Sequence, residues 1–206
     1  MFHNYRGSVW GLRLWLAPVI LLSLVALSGP GRLQAEGPCD LQANDIKPLI
    51  EILRNKELQK KDPDRVKRAI TRLGERRCAA AADDLAALLP FKYHFDWEGT
   101  AVRLQPIFTA TRYPAIGALA QIGEAALPSL VRGIETNLPN SPMTRNATYT
   151  VKLIFRDHPD KAEGYLVSAA ATVTTPEYRS RLKQAAATLP SISIVDVKRY
   201  KSPAPH

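Results

Sequence analysis

His94, Asp96 and Glu98 alternate along the chain, so on an extended strand their side chains share one face and offer one nitrogen and two carboxylates to a metal. Phe95 and Trp97 then fall on the opposite face and pack. The same alternation describes a loop edge that is polar outside and apolar inside, and no second cluster of ligands completes a zinc site. No metal or other cofactor is therefore expected. His158 stands in Asp157-His158-Pro159-Asp160, where a turn between two helices accounts for it. The chain has no G-x-S-x-G elbow, P-loop or H-E-x-x-H helix, so catalysis has no visible address.

Two other groups can do something physical. Cys39 and Cys78 are the chain's two cysteines, and an even count in an exported chain favours a bridge. Closing a loop of that length stabilises by about 3 to 4 kcal/mol in the chain-entropy account. Lys92, Tyr93, Phe95, Trp97 and Arg103 combine aromatic and basic side chains within one segment. They form a candidate contact surface, or else the rings cap the groove between neighbouring helices.

Residues 1–35 are expected to be a secretory signal. Arg6 and Arg13 supply the positive start, and Leu14 to Ser28 is an uncharged apolar run. Gly29, Pro30 and Gly31 end it at about 15 residues, short of the roughly 20 that a membrane span needs. Cleavage is expected after Ala35; the alternative is an anchor retained in the membrane. Removing Arg6, Arg13 and Arg32 with the leader takes the formal charge from +9 to +6. Such a surplus attracts anionic partners. Outside the cytosol, periplasmic or secreted, these are a protein or an anionic envelope polymer and not nucleic acid, with a membrane involved only if the leader stays.

Residues 36–189 read as one all-α domain. Helices are predicted at Asn44–Gln59, from Pro63 to a left-handed Gly74, at Ala79–Leu89, and from Pro114 to Gly123. Further helices follow at Glu124–Asn137, from Pro142 to about Asp157, from Pro159 to about Val173, and from Pro176 to about Leu189. Asp62-Pro63 and Ser141-Pro142 are sharp starts, each a capping side chain followed by a proline whose missing N–H costs nothing in the first turn. Residues 91–111 interrupt the pattern and are expected to be an irregular insertion. The tail, 190–206, is expected to be extended. Asn146-Ala147-Thr148 fits the glycosylation acceptor, but lies inside a predicted helix.

Gly74 and Gly123 are 49 residues apart, and each stands between an aliphatic helix and an alanine-rich stretch. Self-similarity at that period marks a helical solenoid. The segment Ala118 to Leu130, ALAQIGEAALPSL, resembles a HEAT-like repeat at Leu119, Ile122, Gly123, Ala126, Pro128 and Leu130. Arg72 to Leu89 lacks the proline, and Gly164 to Leu189 lacks the glycine turn. The resemblance implies a short α-α superhelix of HEAT-like helix pairs that serves as a non-catalytic scaffold. The alternatives are a compact helical bundle for the fold, and an enzyme or small-ligand binder for the function.

Overall fold

The computed structural model describes Cys39, residues 41–93 and residues 107–192. The leader, His94, Phe95, Asp96, Trp97, Glu98, Arg103 and the tail beyond Ile192 lie outside these residues. Among the described residues the secondary structure is entirely helical: α1 (Ala43–Arg54), α2 (Lys56–Lys61), α3 (Pro63–Glu75), α4 (Ala82–Ala87), α5 (Ile107–Arg112), α6 (Pro114–Ile122), α7 (Leu127–Thr136), α8 (Pro142–Ile154), α9 (Pro159–Thr172) and α10 (Pro176–Thr188). Short 3-10 turns precede α4, precede α7 and follow α10.

The helix starts follow local chemistry. The Asp62 carboxylate accepts the Arg65 N–H at 2.9 Å, and the Ser141 hydroxyl accepts the Thr144 N–H at 3.1 Å. Each satisfies a donor that the first turn leaves without a partner. Four expectations need correction. The predicted first helix is two, because the Asn55 side chain accepts the Glu57 and Leu58 N–H groups, so the chain stops and restarts there. The predicted third helix opens as a 3-10 turn at Ala79–Ala81 and ends at Ala87. The end of the insertion is α5 and not irregular.

The fourth correction is Gly74, which is helical; the left-handed residue after α3 is Arg77, with φ of +50°. Gly74 is needed for approach. A Cβ there would sit 2.5 Å from the Ala118 Cα of α6, closer than atoms can come. Gly123 is the true glycine turn, with φ of +78° between α6 and the 3-10 turn that leads to α7.

One hydrophobic core runs through the described chain. Val66, Ile70 and Leu73 of α3, Ile116 and Leu119 of α6, Leu130 and Ile134 of α7, Val151 of α8 and Leu182 of α10 are fully buried. Helix α3 packs on α1 and α6, α6 on α8, and α4 on α6 and α7; α7 packs on α8 and α10, and α10 on α9. The helices of the segment Ala115 to Glu135 thus find their main partners elsewhere in the chain, not in each other. By composition the run Pro114–Thr136 would pass for a membrane span, yet Gly123 interrupts it and its apolar side chains lie in this core. The neighbouring carboxylates of α4 tie three helices together. Asp84 takes two hydrogen bonds from Arg54 of α1, at 2.6 and 3.1 Å, and Asp83 accepts from Ser129 and Arg132 of α7.

Cys39 and Cys78 are joined in a disulfide, with their Cα atoms 4.5 Å apart. It fixes the chain ahead of α1 to the turn that follows α3. Replacing both cysteines by serine is expected to lower the unfolding free energy by about 3 to 4 kcal/mol. Gly74→Ala should lower it by about 1–3 kcal/mol because adding an atom to a packed interface displaces backbone, although alanine is the better helix former by about 1 kcal/mol. Gly164→Ala in α9, where an added Cβ meets nothing within 4 Å, should instead raise it by about 0.5–1 kcal/mol. Urea denaturation of the three variants checks each sign, and an unchanged Gly74→Ala protein would refute the close-approach role.

Candidate functional site

Of the aromatic and basic residues singled out in the insertion, Lys92 and Tyr93 are described, and they stand at its root. Leu88 and Leu89 are buried behind α4, and the Phe91 N–H returns to the Leu88 carbonyl at 2.9 Å. The Tyr93 N–H then donates to the Arg112 carbonyl at 2.8 Å, which closes the two ends of the insertion on each other. The Tyr93 hydroxyl donates to the Asp64 carboxylate of α3, and the Lys67 ammonium of the same helix lies 4.1 Å from the ring centroid. Such a cation is attracted to the ring face. Tyr93 thus anchors the root of the insertion to α3, while Lys92 is exposed.

The helix that receives Tyr93 has a basic outer face. Val66, Ala69, Ile70 and Leu73 occupy the buried stripe, so the positions between them turn outward. Arg65, Arg68, Arg72 and Arg76 recur there at three- and four-residue spacing, all exposed, and therefore lie above one another on one face. Lys67, Arg68, Thr71 and Arg72 border a shallow groove on this helix, with Asp64 and Glu75 toward its ends. The helical spacing of these four arginines was the signal that gathers them.

A second feature lies between α5, α8 and α10, where a half-open cleft of about 470 Å³ is walled by Tyr113, Arg145, Tyr149, Arg181 and several hydroxyl and amide side chains. Helix α8 builds it by burying polar residues in satisfied form. The Thr144 hydroxyl donates to the Leu138 carbonyl at 2.9 Å, and Thr148 to Thr144 at 2.8 Å. The Asn146 amide donates across the core to the Leu89 carbonyl at 2.7 Å. The sequon asparagine is thus 8% exposed and committed to an internal bond. On the facing helix the Arg181 side chain, 11% exposed, donates to the Glu135 carbonyl at 2.7 Å and pairs with Glu177. Burial holds the Tyr149 hydroxyl above the usual phenol range, so it stays neutral. Nothing in the local sequence marks these walls as one site, because three helices distant in the chain contribute them.

Histidine chemistry is not found in this region. His158 is exposed at the start of α9, where its carbonyl accepts the Lys161 N–H at 3.0 Å and its ring makes no capping bond. Among the described residues no three His, Cys, Asp or Glu side chains converge as a metal site would require.

Asn146→Ala would leave the Leu89 carbonyl without its donor inside the core. It is expected to cost about 1–3 kcal/mol of stability, measured by urea denaturation, and a neutral result would refute the role given to that bond. Comparison with family models, with curated proteins and with solved structures finds no match for the chain.

Proposed function

We propose that the protein is an exported, non-catalytic interaction module that holds an anionic partner, a protein or an envelope polymer, on a helical-repeat surface. The observation that carries this reading is the arginine face of α3, set beside the root of the insertion that Tyr93 fastens to the same helix. Four guanidinium groups on one face, with few carboxylates among them, raise the local concentration of an anionic partner. Arg65, Arg68 and Arg72 can each also make paired hydrogen bonds to carboxylate or phosphate.

The HEAT-like superhelix belongs to the same proposal. Two successions of neighbours support it, α3 to α6 to α8 and α4 to α7 to α10, while the helices on either side of the Gly123 turn, α6 and α7, pack chiefly on those neighbours and not as a pair. Export is supported by the apolar leader and by the disulfide, which persists in an oxidising compartment such as the periplasm or the extracellular space. The cleft favours a second reading, in which the protein binds a small ligand.

Changing Arg65, Arg68 and Arg72 together to glutamine removes three exposed charges without touching the buried stripe. In pull-downs from the native envelope fraction, the triple variant should lose the partners of the parent protein, and the parent's capture should weaken steeply with added salt. An unchanged partner set would overturn the assignment of this face.

A further inference from the structure

We propose that the cleft between α5, α8 and α10 binds a carboxylate-bearing saccharide unit, with the Arg145 guanidinium on the carboxylate and the Tyr113 and Tyr149 rings against the sugar. This site is separate from the arginine face of α3, and either can fail without the other.

The size, sign and polarity of the cleft each narrow the ligand. A volume of about 470 Å³ lies within the roughly 300–1,000 Å³ typical of small-molecule sites. Among the described residues no aspartate or glutamate lines it. Of the two arginines described there, Arg181 is engaged by Glu177 and by the Glu135 carbonyl. Arg145 is exposed, and no carboxylate among the described residues pairs with it. The cleft therefore presents one positive charge, suited to one carboxylate. A multiply charged phosphate would call for a denser set of donors.

The remaining walls select the body of the ligand. Asn140 and Gln184 offer amides and Thr109 a hydroxyl, which can both donate and accept, as a ring of sugar hydroxyls requires. The Thr144, Thr148 and Thr188 hydroxyls, which give their protons to backbone carbonyls, can still accept. An apolar ligand would cover the two amides without pairing them, which is costly. The two tyrosines supply flat apolar faces for the C–H side of a sugar ring, and each keeps a hydroxyl at its rim. A neutral sugar would satisfy these walls but leave Arg145 unpaired.

The test uses the full exported chain, labelled with ¹⁵N, titrated into the tens of millimolar with D-glucuronate, D-glucose or acetate and followed by amide chemical shifts. Glucuronate is expected to shift α8 and α10 amides saturably, with glucose at least about tenfold weaker for the lost charge-assisted hydrogen bond, and acetate at least about tenfold weaker for the lost ring contacts. Arg145→Gln, at a solvent-exposed position, should keep the parent melting temperature and bind glucuronate no better than glucose. The Arg65, Arg68 and Arg72 triple variant should bind glucuronate as the parent does, which separates this site from the α3 face. The proposal is overturned by an absence of saturable shifts, by acetate matching glucuronate, or by an unaltered response in Arg145→Gln.

Discussion

The contact of α3 with α6 at Gly74 is the constraint on which the rest depends. The helix backbones meet there with no room for a side chain on α3, since even a methyl group would overlap the Cα and Cβ of Ala118. Interhelical distance is ordinarily set by the side chains at the crossing, and this crossing has been reduced to a hydrogen atom facing a methyl group. With that distance fixed, Val66, Ile70 and Leu73 reach full burial on one side of α3. Its arginines are left to solvent on the other. The same contact places α6, and through α6 it places α8, whose outer face makes a wall of the cleft.

Helix α8 shows how a small helical protein can hold polar residues inside without destabilising itself. Thr144, Asn146, Thr148 and Thr150 are all buried. The Thr148 and Thr150 hydroxyls turn back to carbonyls one turn earlier in their own helix, at 2.8 and 2.7 Å. Asn146 reaches the Leu89 carbonyl at the end of the α4 segment, where the helix no longer supplies a donor. Among the described residues no buried side-chain polar atom lacks a partner. The Asn146 bond, which alone of these crosses between elements, favours this arrangement, because moving α8 away would leave a buried donor and acceptor unmet. At the far end of α8 the Lys152 ammonium donates to the Leu189 and Ile192 carbonyls and so holds the chain beyond α10 against the body.

The fold is legible in the sequence where the determining interaction is local. Proline in the first turn opens α3, α6, α8, α9 and α10 where expected, and proline is tolerated there for reasons internal to one helix; the helix expected from Glu124 instead opens as a 3-10 turn, and α7 starts at Leu127 ahead of Pro128. The cysteine pair was legible because the chain offers a single pairing. Gly74 was misread because its local pattern, a glycine near a helix end, is that of a C-terminal cap, while its reason lies 44 positions away at Ala118. The Asn55 break was legible in principle: an asparagine followed by an acidic residue in the next turn is a start signal, here obscured by the apolar period running through it. The cleft was not legible, because Tyr113, Arg145 and Arg181 carry no shared spacing and meet only after α5, α8 and α10 assemble.

The root of the insertion lies between the two surfaces proposed to bind partners. Tyr93 and Arg112 are bonded through their backbones. On the Tyr93 side the hydroxyl and ring engage Asp64 and Lys67, on the helix that carries the arginine face. On the Arg112 side the next residue is Tyr113, which lines the cleft and precedes the proline that opens α6. The Tyr93–Arg112 backbone bond therefore stands between the basic helix, reached through the Tyr93 side chain, and the residue that enters the cleft wall. Coupling between sites requires an element with two arrangements that both sites bias; a backbone bond beside each surface gives proximity, and proximity alone does not couple them.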